Sequence, residues 1–364
     1  MAALEQLVGT VKDFVSGRDY SGPYLNSFRN TFYAAVVGSS VLLQACGKAR
    51  EISPTAPDPV PVTATPPTTT VPPDPTPTPP IPIPTDPPRE SGDKELFALA
   101  DNVSFQTFDI TLLMRRLIDM MLVKHPSAQI AWDGDLQYDN ATKDELERGW
   151  KRVYDDLKNR SFVIWGNHDH GPGSDFRNYF ADLIQKNRIY RDSGVVSFNN
   201  FYALDYGAWR FYILDSNLPT NRNSVQYSFL QHELTTNRTL CTAVFMHHPY
   251  QTPGKYFDQQ GYLRDIMTLA FDNQVDLVFN GHDHLKWSTK KVDMDGNEHP
   301  RGIRTLGNGA GGAPLYTERT RAKFLEWDGG THGLLHITLR RDGYTYSFLN
   351  LNGGVEFSNS DRCH

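Results

Sequence analysis

Sixteen of the chain's 24 prolines fall between Pro54 and Pro88. Proline fixes φ and donates no backbone hydrogen bond, so this window cannot serve a helix interior or a central strand. It divides the 364-residue chain into residues 1–46, a Pro/Thr-rich span at 47–90, and residues 91–364. The last part is ample for one large core, and its composition suits one, since the whole chain is 39% hydrophobic and 12% aromatic. No run reaches the roughly 18 apolar residues of a spanning helix. A formal charge of −6 argues against a nucleic-acid binder, which would carry a concentrated basic face.

Residues 31–46 read TFYAAVVGSSVLLQAC, a short apolar stretch behind Arg29. It is too short to span a bilayer and suits the h-region of a secretory signal. Its end, Leu43-Gln44-Ala45-Cys46, resembles the lipobox of bacterial lipoproteins. That resemblance implies cleavage before Cys46, acylation of its thiol, and, with Gly47 next, an exported chain anchored in the outer membrane. The 28 residues before Arg29 exceed the usual n-region. They are either an extension discarded with the signal or the product of a start set too far upstream. Residues 53–88 favour extended polyproline II at about 3.1 Å per residue, a tether on the order of 100 Å.

From Glu95 onward, short apolar runs alternate with amphipathic segments. Residues 96–100, 129–132, 162–165, 243–246 and 275–279 read as buried strands. Residues 110–123, 143–157, 175–185, 226–234 and 261–271 carry helical spacing. This alternation predicts βαβ units with parallel strand pairs. Residues 201–214 read as a hairpin around Tyr206-Gly207, and the C-terminal third as mostly strand, with Asp295-Gly296 and Asp342-Gly343 as turns. The expected fold is α/β, a sheet sandwich with helices outside.

Each buried strand ends in polar residues of one chemical kind: Asp101-Asn102, Gly134-Asp135-Leu136-Gln137-Tyr138, Gly166-Asn167-His168-Asp169, His247-His248-Pro249 and Gly281-His282-Asp283-His284. Ligands of open α/β sheets sit beyond the carboxyl ends of strands, so these loops are expected to converge. Aspartate, asparagine, tyrosine and histidine offer oxygen and nitrogen donors without thiolate, which suits iron, zinc or manganese.

The order GD-x-x-Y, GNHD, HHP, GHDH resembles the calcineurin-like metallophosphoesterases. Val103 stands where most of that family carry a ligating histidine, and Tyr138 resembles the tyrosine ligand of the purple acid phosphatases, small mammalian-type branch. The resemblance implies a four-layer α/β/β/α sandwich of two mixed sheets. It implies two metal ions: ferric iron on Asp101, Tyr138 and His284, and iron, zinc or manganese on Asn167, His247 and His282, with Asp135 bridging. It further implies hydrolysis of a small phosphate ester by a metal-bound hydroxide, with His168 beside the phosphoryl oxygens. His248 is either a donor behind the ligands or surface-facing, and Asp169 orients His168 or its own loop rather than touching metal.

In one respect the chain departs from that branch. Where the small purple acid phosphatases carry a histidine proposed to protonate the leaving group, this chain has Tyr256 after Lys255. Ordinary tyrosine titrates near 10, far from a working acid. His248, His170 or water takes over, or good leaving groups are required. Cys241 and Cys363 either pair, as an oxidising compartment permits, or stay a buried and an exposed thiol. A phosphomonoesterase is expected first, a phosphodiesterase on nucleotides or lipid head groups second, and a noncatalytic surface module third.

Overall fold

A computed structural model describes residues 92–186, 200–257 and 261–364. The signal-like segment, Cys46 and the proline tether lie outside the described residues.

Thirteen strands are found among the described residues, in two mixed sheets. The first sheet runs β13-β12-β11-β1-β2-β3. Its strands are β1 (Lys94–Leu99), β2 (Gln129–Trp132), β3 (Ser161–Val163), β11 (Gly333–Leu339), β12 (Gly343–Asn350) and β13 (Val355–Arg362). The second runs β10-β8-β9-β7-β6-β5-β4. It consists of β4 (Tyr202–Tyr206), β5 (Trp209–Ile213), β6 (Cys241–Phe245), β7 (Leu277–Asn280), β8 (Lys286–Thr289), β9 (Arg304–Asn308) and β10 (Leu325–Gly329). β1, β2 and β3 pair in parallel, as do β5, β6, β7 and β9. The β4–β5 pair is the expected hairpin, with Tyr206 opposite Trp209.

Side chains alternate across each strand, and here both faces are covered. Leu96 and Ala98 of β1 point between the sheets, into a core with Phe211, Phe245, Phe279 and Leu306. Phe97 and Leu99 point outward against Met114, Leu117 and Trp150. The second sheet likewise buries Tyr212, Val244 and Val278 against Leu230, Ile266 and Leu269. Burial on both faces explains why these strands read as continuous apolar runs rather than alternating ones. The outer layers are helical: α1 (Phe108–Lys124), α2 (Lys143–Arg148), α3 (Trp150–Tyr154), α4 (Phe176–Lys186), α5 (Val225–Thr236) and α6 (Arg264–Asp272). The four-layer sandwich is therefore present.

One expected helix is broken. Residues 143–157 form α2, α3 and a 3-10 turn (Asp155–Arg160) instead of one helix. Gln137 from the β2 loop reaches into the break, where its Oε1 accepts the amide of Trp150 at 2.9 Å. A Cβ on Gly149 would collide with that Gln137 side chain, so only glycine fits. Thr142 and Glu145 form a capping box at the start of α2. The same Glu145 carboxylate accepts the amides of Asp139 and Asn140 at 2.9 and 3.3 Å. The loop carrying Tyr138 is thus held by a helix start on one side and a helix break on the other.

Cys241 of β6 and Cys363 are joined by a disulfide, with Cα atoms 5.3 Å apart. It fastens the C-terminal end to the strand that leads to His247.

Candidate metal centre

The carboxyl ends of β1, β2 and β3 in one sheet, and of β6 and β7 in the other, deliver the expected polar loops to one place. The Tyr138 hydroxyl lies 2.6 Å from Asp101 Oδ1, 3.0 Å from Asp135 Oδ2 and 3.0 Å from His284 Nε2. His284 Nε2 is 3.2 Å from Asp101 Oδ1. On the other side of Asp135, His247 Nε2 is 3.2 Å from Oδ2. Single ligand atoms of Asp135, His247 and His282 all lie within 4.8 Å of one another. Asp135 belongs to both groups.

Backbone geometry makes this convergence possible. Asp101, Asp135 and His282 have φ of 58°, 51° and 66°, the left-handed region that non-glycine residues seldom enter. Each such residue costs about 1–3 kcal/mol, and this kind of strain gathers at functional sites. The local hydrogen bonds over-determine it: the amides of Asp101 and Asn102 donate to the carbonyls of Gly134 and Asp135, both at 3.0 Å. The amide of His282 donates to Asp101 Oδ2 at 2.9 Å. The bend at His282 lets His282 and His284 share one site. Asp283 between them turns away and accepts from the Thr252 hydroxyl and the Lys255 amide, at 2.5 and 3.0 Å. Gly134 has φ of 93°, and a Cβ there would run into the His247 ring.

Two histidines are oriented through their far nitrogens. His247 Nδ1 lies 2.8 Å from the Asp133 carbonyl and His284 Nδ1 2.7 Å from that of Pro314. Donation there leaves each Nε2 lone pair facing the site, the arrangement found behind metal-ligating histidines. His168 is half-buried, with Nε2 3.9 Å from Asp135 Oδ2, and its amide donates to Asp135 Oδ1 at 2.8 Å. Asp169 accepts the amides of Asp135, Leu136 and Gly166 at 2.7, 3.1 and 2.9 Å, and so braces its loop as expected. His248 is buried rather than surface-facing. Its Nδ1 is 2.8 Å from Ser216 Oγ, and its ring lies 4.2 Å from that of His282.

Electrostatics and orphaned atoms both fit a cation. Burial and the carboxylates of Asp101 and Asp135 push the Tyr138 phenol well above its ordinary value. Burial opposes ionisation of Asp135, but the charges of His247 and His168 outweigh it and hold the carboxyl well below its usual range. Burial disfavours the charged His247, yet Asp135 overcomes it and raises the imidazole to about 10. His247 Nε2 and Asn167 Oδ1 are buried without a hydrogen-bond partner. Buried polar atoms are nearly always satisfied; the Asn167 oxygen offers a free electron pair, and a hard cation taking the place of the His247 proton beside Asp135 would use the Nε2 pair as well.

Other residues of the site carry weaker sequence signals. Asp133 accepts the Asn308 side-chain amide at 2.6 Å, and burial pushes its carboxyl up to about 8. Asp215 and Ser216 follow β5 and hold His170 and His248, each at 2.8 Å. A strand followed by Asp-Ser repeats the pattern of the other strand ends, so that pair was open to detection. Tyr316 stacks on His284, centroids 4.1 Å apart and planes 6° apart, and comes from a loop with no such signal.

Comparisons agree with this geometry. Residues 104–286, half of the chain, match the family model for calcineurin-like phosphoesterases. Over 156 residues the chain is 30% identical to purple acid phosphatase 18 of Arabidopsis thaliana, covering 41% of this chain and 35% of that protein. The chain thus matches about a third of the length of this curated relative. Among solved structures it resembles the purple acid phosphatase PPD1 from seeds of yellow lupin (Lupinus luteus), with a TM-score of 0.62, 16% identity, and 75% of this chain and 54% of that one covered. It also resembles GAP50, described as the anchor in the inner membrane complex of Plasmodium. There the TM-score is 0.59 and the identity 12%, over 75% of this chain and 89% of that one. With two mixed sheets, the convergent strand ends and half its length matched, the chain belongs to the calcineurin-like phosphoesterase family.

Proposed function

We propose that this chain hydrolyses small phosphate esters, monoesters first, at a centre of two metal ions held by Asp101, Tyr138 and His284 on one side and Asn167, His247 and His282 on the other. Asp135 is the shared ligand. The observation that carries this reading is the position of Asp135 Oδ2, 3.0 Å from the Tyr138 hydroxyl and 3.2 Å from His247 Nε2. A carboxylate touching both donor groups is the part a paired-cation site requires.

When bound, two such cations supply Lewis-acid polarisation of the phosphoryl group and lower the pKa of a bound water. Ferric iron suits the first side, because a phenol pushed well above 10 by burial and two carboxylates yields its proton only to a strong Lewis acid. The chain's own residues do the rest. The carbonyls of Asp133 and Pro314 fix the tautomers of His247 and His284. His168, braced at its amide by Asp135, meets the phosphoryl oxygens and orients them. His248, whose far nitrogen is held by Ser216, is the second imidazole within reach of a bound ester.

Export with a lipid anchor at Cys46 is proposed with this function. The Cys241–Cys363 disulfide supports it, since such bonds persist in oxidising compartments. Mass spectrometry of the mature N-terminus tests it, and an unmodified Cys46 in an intact N-terminus would defeat it. For the reaction, metal analysis and a visible spectrum of the full chain are followed by hydrolysis of paired aryl mono- and diesters. Preference for the monoester is expected. Preference for the diester would move the substrate class, and a chain that binds no metal at neutral pH would leave a noncatalytic module.

A further inference from the structure

Away from the candidate centre, three metal-type donors meet where β1 begins, α1 ends and β11 passes. We propose that Glu95, His125 and His336 form a separate site for one divalent first-row transition ion, of the class of zinc.

The donors are already gathered. Glu95 Oε2 lies 2.6 Å from His336 Nε2 and 3.8 Å from His125 Nδ1, and one ligand atom from each residue lies within 4.8 Å of the other two. In a tetrahedral zinc site with bonds near 2.0–2.1 Å, ligand atoms stand roughly 3.3 Å apart. The two distances to Glu95 bracket that value, so a small rotation of one carboxylate equalises them. Two imidazoles and one carboxylate also form a well-known zinc ligand set, with the fourth position left for water.

The surroundings form a built site rather than a chance meeting. Phe97 lies beneath both imidazoles, its ring centroid 6.1 Å from that of His125 and 5.4 Å from that of His336. The Thr338 hydroxyl donates to the Glu95 carboxylate, 3.0 Å from Oε2 and 3.3 Å from Oε1, and so orients it. Side-chain exposures of 20% for Glu95, 27% for His125 and 15% for His336 leave one side open for an ion to enter. His125 sits at the carboxyl end of the 17-residue α1, its amide donating to the Met121 carbonyl. The dipole there favours a cation. Lys124 beside it opposes one. Burial, with His336 and Lys124, lowers the His125 imidazole. Burial would raise Glu95, but its bond to His336 outweighs this and lowers the carboxyl.

Glu95 precedes Asp101 by six residues of extended chain, about 20 Å, so this ion would be independent of the candidate centre. It would tie the start of the central strand to a helix end and to the neighbouring strand.

The test uses the full chain and zinc alone. Zinc bound per chain is measured by equilibrium dialysis in wild type and in His336→Asn, and in both again after Asp135→Asn and His247→Asn disable the candidate centre. One zinc fewer in His336→Asn is expected in each background, and in the Asp135→Asn, His247→Asn background the zinc-dependent rise in melting temperature should be lost as well. His125→Asn, at a partly exposed helix end, repeats the comparison if His336→Asn folds poorly. Equal zinc content with and without His336 and His125 would overturn the proposal and leave Glu95–His336 as a simple ion pair. Loss of zinc only on changing Asp135 and His247 would overturn it equally.

Discussion

The ring of Tyr256 stacks on that of His282, with centroids 4.1 Å apart and planes 25° apart. The residue standing where a leaving-group acid is expected therefore packs against a candidate ligand. Tyr256→Phe keeps the ring and removes the hydroxyl, so aryl phosphate turnover should change by no more than about threefold. Tyr256→His supplies an acid that titrates near working pH and should raise hydrolysis of alkyl phosphates by about 10²-fold, the low end of what a general acid contributes. Paired kcat measurements on aryl and alkyl monoesters check both. A large loss in Tyr256→Phe on aryl esters would make the tyrosine itself essential.

Tyr138, Asp135 and His168 separate metal binding from catalysis. If ferric iron binds the phenol, the chain should be violet, and Tyr138→Phe should abolish the colour with little loss of packing. Asp135→Ala removes the shared carboxylate and should abolish metal retention and turnover together. His168→Ala should keep both metals and the colour while lowering kcat by about 10²-fold, as loss of one phosphate-facing group would. Metal content, the visible spectrum and kcat, read on the same samples, distinguish these outcomes. A colourless wild type active with zinc or manganese would refute the ferric assignment alone.

The disulfide closes a loop of 122 residues. Chain-entropy reasoning gives about 4–5 kcal/mol for a loop near that size, or a fall in melting temperature of about 10 °C for a domain this large. Cys363→Ser, or wild type under reductant, should show it in thermal denaturation. A shift below about 2 °C would mean that β13 holds its place without the bond.

His170 and Asp215 form an ion pair at 2.8 Å. Burial works against the charged imidazole, yet Asp215 outweighs it and raises His170 above its ordinary value. Burial also works against the Asp215 carboxylate, and His170 with Asn200 and Asn217 more than compensates and lowers it. A raised histidine gives its full stabilisation below the unfolded value near 6.5 and loses it as pH rises through the folded value. A lowered aspartate gives its full stabilisation above about 3.9 and loses it as pH falls through its own lowered value. The pair is therefore worth most between about pH 4 and 6.5. His170→Gln should lower the melting temperature there and have less effect once pH rises through the raised histidine value, as measured by thermal scans across pH.

How much of this was legible in sequence follows from how local each feature is. Gly134-Asp135 and Gly166-Asn167-His168-Asp169 are readable because a buried strand and its polar end are contiguous. The same holds for the tight β4–β5 hairpin. The break at Gly149 is not, because its cause is Gln137, twelve residues earlier and folded back into the helix. Likewise the sequence around His248 does not say whether that ring is buried, since Ser216 decides it from another strand end. The pairing of Cys241 with Cys363 needed a Cα separation that spacing along the chain does not carry. Tyr316 reaches His284 from an irregular loop, where no periodicity reports direction.

The candidate ligands are divided between the two sheets: Asp101, Asp135, Tyr138 and Asn167 follow strands of one, and His247, His282 and His284 follow strands of the other. An ion pair seated among them would act as a rivet across the seam. A substitution deep between the sheets, at Phe245 or Phe279 for instance, would then register first as a change in metal off-rate, long before the domain melts. In such a molecule, metal retention is a strain gauge for the packing of the interior.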